Sequence, residues 1–106
     1  MAVSVKNIVP GKTVENTQET QYTASGVTTI IDKFTATNYS GTAATISVNL
    51  VTTGGSAGNT NLVNKTKTLQ PAEDYTYPEK VGQLLNPGDF ISTLAGTAGA
   101  INMRVS

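Results

Sequence analysis

The side chains in this sequence that could move a proton or grip a metal are few, and the candidates are all carboxylates. Its 106 residues include no histidine and no cysteine. That removes the usual base near neutral pH, the thiol nucleophile and the commonest zinc ligands together. Acid–base chemistry would need paired carboxylates, and the candidates are Glu73 with Asp74, Glu79, and Asp89. Glu73 and Asp89 fill the same slot of two related segments, LQPAEDY at 69–75 and LNPGDF at 85–90. In each, Pro presets φ at the first central position of a turn, and Gly88 in the second copy permits type II geometry. An acidic side chain in that slot accepts backbone hydrogen bonds, so these carboxylates read as structural. No EF-hand-like run of oxygen ligands is present. The expectation is a non-enzyme with no cofactor, no metal and no small-molecule substrate.

Other motifs have plain structural readings. The Gly-rich segment at 54–60 lacks the Lys-Ser/Thr of a phosphate-binding loop and a following helix, and reads as a mobile hairpin tip. Two glycosylation sequons, at Asn38 and Asn64, are coincidences in so Asn- and Thr-rich a chain. Tyr39, Tyr75 and Tyr77 suggest a small sugar-stacking platform, or rings that cap the ends of a sandwich with wet hydroxyls. The capping reading is preferred, because aromatics are only 6% of the chain and none is Trp.

These residues need elements to hold them, and composition indicates which. Thr, Val and Ile favour pleated surfaces over helices. A chain of this length makes one domain that buries roughly two thirds of its unfolded surface. Seven basic and seven acidic residues leave no net charge, so there is no field to draw in nucleic acid or an anionic membrane. No apolar run approaches the ~20 residues a membrane helix needs, and the N-terminus lacks a signal-peptide core. The expected site of synthesis and folding is the cytoplasm.

Periodicity places the strands. Ala44, Ile46, Val48 and Leu50 alternate with Thr45, Ser47 and Asn49, as in a half-buried strand. Ile30, Phe34 and Ala36 share a parity with Asp32, which must be paired or sit at a bulge. With the turn at 38–41, the stretch 26–51 predicts a hairpin. The segments 89–95 and 100–105 predict a second, closing hairpin. Residues 61–69, carrying Lys65 and Lys67, read as a protected edge strand. Pro78 to Leu85 predicts one helical turn. The expected architecture is all-β: a single small antiparallel sandwich with about seven or eight short strands and little helix, or else a small barrel. Residues 1–19 are expected to form an extended arm and edge strand, with the sandwich over 20–106; a frayed terminus is the alternative.

Taken together, QYTASGVTTIIDKFTATNYSGTAATISVNLV, the GGSAGNTNLV loop and strand, LQPAEDYTYPEKVG and LLNPGDFIST resemble a group of small tailed-bacteriophage and prophage proteins. The resemblance spans 18–101 and leaves 1–17 outside. It implies a virion structural component with an immunoglobulin-like or jelly-roll-like β fold. Small size, zero net charge, the absence of histidine and cysteine and a polar N-terminal arm make a capsid decoration or cement protein on the outside of the head the leading expectation. Its partners would be the major capsid protein and copies of itself, with a trimer expected. The alternatives are a neck, tail or fibre-associated adaptor, and a carbohydrate or cell-surface binding module. The candidate interface residues are Val3, Val5, Lys12, Lys65, Lys67, Tyr75 and Tyr77.

Overall fold

The computed structural model describes residues 7–77 and 82–106. Val3 and Val5 of the expected arm, and the start of the expected helical turn at 78–81, lie outside the described residues. The strands in chain order are β1 Val9–Thr13, β2 Glu19–Thr23, β3 Thr29–Ile30, β4 Phe34–Asn38, β5 Ala44–Val51, β6 Leu62–Leu69, β7 Asp74–Tyr75, β8 Leu84–Leu85, β9 Phe90–Ala95 and β10 Ile101–Val105. They form two four-stranded sheets, β1-β10-β4-β7 and β2-β9-β5-β6, and a two-stranded ribbon of β3 and β8. All pairings are antiparallel, and the architecture is a small all-β sandwich.

Alternating residues build the core from both sheets. Ile101, Met103 and Val105 point in from β10, and Phe34 and Ala36 from β4. Ile46 and Val48 from β5 and Ile91 from β9 meet them. Each of these side chains larger than Ala36 stabilises the fold by about 1.5–3 kcal/mol on full burial.

The two expected hairpins are not hairpins. β4 and β5 lie in different sheets, and so do β9 and β10. Alternation reveals which face of a strand is oily, but not which strand lies beside it. At 38–44 the change of sheet is made by Asn38, which is fully buried. Its Nδ2 donates to the carbonyls of Thr42 and Leu69, each at 2.8 Å, and its Oδ1 accepts from Ser40 N–H and Oγ. These bonds satisfy the arch from within and leave β4 free to pair with β10 and β7. The hairpin that does form joins β5 to β6.

Asp32 sits where the strand breaks. Its N–H and that of Lys33 both donate to the carbonyl of Ser106, at 2.8 and 3.0 Å. The irregular step at 31–33 resets the parity, so that Ile31 and Phe34 are buried while Asp32 and Lys33 are exposed. Leu84 and Leu85, expected in a helical turn, pair with Ile30 and Thr29 instead. In the stretch expected as arm plus edge strand, β1 and β2 are edge strands of the two sheets, tied down because Val9 and Val14 fill the core.

Candidate functional site

A row of polar side chains lies on the outer face of the β1-β10-β4-β7 sheet. Register sets Thr13 opposite Asn102, Asn102 opposite Thr37, and Thr37 opposite Asp74. One row therefore crosses all four strands. Within it Thr13 Oγ1 donates to Asn102 Oδ1 at 2.9 Å, and Thr37 Oγ1 donates to Asp74 Oδ1 at 2.8 Å. Tyr39 extends the row, its hydroxyl 3.4 Å from Thr13 Oγ1. Arg104 and Thr35 form the next outward-facing pair. Pro10, Gly11, Thr35, Thr37, Asn102 and Arg104 edge a shallow depression of about 360 Å³, too open to enclose a ligand. Such a face offers fixed donors and acceptors to another flat surface.

The opposite outer face is largely covered. Val51 and Phe90, Asn49 and Ser92, and Ser47 and Leu94 are the outward-facing pairs. Yet Val51, Asn49 and Ser92 are all buried. The cover is the Gly-rich loop, which the sequence predicts to be mobile. Asn49 Nδ2 donates to the Gly58 carbonyl at 3.0 Å and to Asn61 Oδ1 at 2.6 Å, and Asn61 Nδ2 donates to the Ser56 carbonyl. Gln18 Nε2 donates to Ser92 Oγ at 2.7 Å at the other side of the face. The loop is thus anchored by side-chain amides, which replace the solvent those groups would otherwise need.

Both Pro turns take the geometry their residues predict. Glu73 N–H donates to the Gln70 carbonyl and Asp89 N–H to the Asn86 carbonyl, which closes each turn. Each acidic side chain then reaches back to the turn's first N–H, Gln70 to Glu73 Oε1 at 2.7 Å and Asn86 to Asp89 Oδ2 at 2.9 Å. Gly88 takes φ +92°, and Ala72 takes the matching φ of +65° without glycine's freedom. Asp89 also accepts from the N–H and hydroxyl of Thr53 through Oδ1, at 3.0 and 3.1 Å, which pins the Gly-rich loop to the turn. The Thr53 N–H, then the Asn86 N–H, hold the Asp89 carboxyl below its ordinary pKa.

The candidate interface residues among those described do not form one site. Lys12 is on β1, ion-paired with Glu15 at 2.9 Å. That contact, then the Gln21 amide, lowers the Glu15 pKa. Lys65 is exposed on β6, in the other sheet. Lys67 shares the inward-facing parity of Ile46 at the sheet edge, and its Nζ stands 4.6 Å from the centroid of the Tyr75 ring. Tyr75 packs on Tyr77, and Tyr77 on Phe34, each with ring centroids 4.5 Å apart.

This ladder runs inward from Lys67 to Phe34, and Tyr77 within it is fully buried. Tyr77 is therefore a core residue, not an interface residue or an end cap with a wet hydroxyl. Tyr39 projects from the far side of the sheet, so the three tyrosines make no platform. The row from Thr13 to Asp74 escapes sequence reasoning, because it exists only through the register of strands distant in the chain. Compared with protein-family models, curated proteins and solved structures, the chain matches none.

Proposed function

We propose that the protein is a structural component of a tailed-bacteriophage virion, a capsid decoration protein that binds the major capsid protein on the outside of the head as a small homo-oligomer. The resemblance over 18–101 supports a virion component, and the small size, zero net charge and absence of histidine and cysteine support its place as a head decoration. The fold supports it with a polar sheet face of hydrogen-bonded side chains, which can meet a broad protein surface. Contact through faces is favoured over strand pairing at the edges. Register shifts interrupt all three longer edge strands, β1, β2 and β6. Bulges and an inward-turned lysine such as Lys67 blunt an edge against adding a further strand. Many copies on a symmetric shell need not each bind tightly, because an oligomer touching several subunits gains effective concentration.

The test is cosedimentation of purified protein with expanded capsids that lack it. Occupancy should scale with the number of capsid subunits, and Thr37→Arg/Asn102→Arg should abolish it without unfolding the protein. Occupancy limited to a single ring would move the protein to the neck or tail. No binding under salt conditions in which the virion survives would reject the reading.

A further inference from the structure

Four large apolar side chains are exposed among the described residues: Val27, Ile30, Tyr39 and Leu84. Three of them belong to the β3–β8 ribbon or to the loop that leads into it. Ile30 and Leu84 are directly paired across the ribbon and so share a face, and they are 61% and 56% exposed. The adjoining pair faces the body of the protein. Leu85 is buried, and Thr29 Oγ1 lies 2.8 Å from the Tyr22 hydroxyl. The ribbon is held in place by Ile31 N–H to the Gln83 carbonyl at 2.9 Å and Gly82 N–H to the Ile31 carbonyl at 2.7 Å.

Exposed apolar residues scattered singly need no explanation, whereas a fixed cross-strand pair does. This chain places Thr at partly exposed strand positions elsewhere, as at Thr35 and Thr37. Thr would satisfy the strand here too.

Charge identifies the occupant. Asp32 and Lys33 follow the ribbon strand directly, both exposed, with backbones fixed on the Ser106 carbonyl. Neither side chain has an ion-pair partner among the described residues. A carboxylate and an ammonium on adjacent exposed residues, two and three positions after Ile30, can make a surface complementary to itself. A second copy can set its Lys33 against this Asp32, and the chain's zero net charge opposes no such approach.

We propose that the β3–β8 ribbon is a self-association surface, occupied by the same ribbon of another copy of this chain. Ile30, Leu84 and Val27 form its centre, and Asp32 and Lys33 its rim. The inference rests on the oligomeric part of the reading above and supplies its contact. A two-fold or a three-fold axis through the patch satisfies the pairing, and the measured mass sets which. The apolar centre is small beside the ~800 Å² per partner of a standard interface, so the association is weak in free solution.

Sedimentation velocity on the full chain alone, from about 1 μM to about 1 mM, tests the proposal with no capsid present. The wild type should self-associate, and Ile30→Thr/Leu84→Thr should weaken Kd by at least about tenfold. Asp32→Lys should weaken it as well, and Asp32→Lys/Lys33→Asp should restore it. Circular dichroism and the melting midpoint report whether each variant folds. A wild type that stays monomeric throughout, an oligomer indifferent to Ile30→Thr/Leu84→Thr, or a charge swap that restores nothing would overturn the proposal. Failure here with capsid binding intact removes the ribbon contact alone; lost capsid binding with self-association intact removes the virion reading alone.

Discussion

Asp89 shows how a residue suited to chemistry is committed to architecture. Its carboxylate accepts from the N–H groups of Thr53 and Asn86, so it joins the loop after β5 to the turn before β9. The folded-state pKa is depressed below the ordinary 3.8. Its contribution is therefore present in full above the unfolded value and is lost as pH falls through the folded one. Asp89→Asn should lower the melting midpoint near neutral pH. The gap to wild type should close between about pH 5 and about pH 2, read by circular dichroism. A gap that is constant over that range would mean the charge is not what Thr53 and Asn86 bind.

The sequence foretold the role of this residue, because Asn-Pro-Gly-Asp is a local instruction. It also foretold the same slot for Glu73. The chain does not foretell that a Cβ added at Gly88 would collide with the Thr53 side chain, since that neighbour comes from another part of the chain.

At the scale of elements, the Gly-rich loop departs furthest from expectation. Glycine content predicts mobility, but β5 supplies an outward Asn49 whose amide holds the loop down. Asn49→Ala would leave the Gly58 carbonyl and Asn61 side chain without this partner, and should cost about 1–3 kcal/mol in urea unfolding. The same substitution should speed hydrogen exchange of loop amides over 54–61 while those of β9 and β10 keep their protection. Equal acceleration in all of these would show that Asn49 supports the whole sheet and not the loop.

Edge strands behave as their residues predict. Lys67 turns inward over Tyr75, and β6 carries two register shifts against β5. The expected hairpins failed for a complementary reason: a turn followed by an alternating segment is equally compatible with a partner in the same sheet or the facing one. The choice fell to Asn38, whose burial and four hydrogen bonds build the arch.

For the molecule as a whole, the tyrosines divide between core and surface. Tyr77 sits between Tyr75 and Phe34 with no exposure, whereas Tyr39 is 53% exposed. Tyr77→Ala should destabilise the protein by about 3–5 kcal/mol through cavity formation. Tyr39→Ala should stay within about 0.5 kcal/mol. Chemical denaturation measures both, and comparable losses would refute the assignment of Tyr77 to the core.

The sequence by itself determined that the protein is β-structured, where its strands alternate, where its Pro turns close and that it offers neither histidine nor thiol. These properties depend on residue type and on neighbours a few positions away. Only the tertiary structure decided which strands lie side by side, which polar side chains line up from Thr13 to Asp74, and that Ile30 and Leu84 meet on an exposed face. Each of those is a relation between segments far apart in the chain, set by core packing and by buried amides such as Asn38 and Asn49.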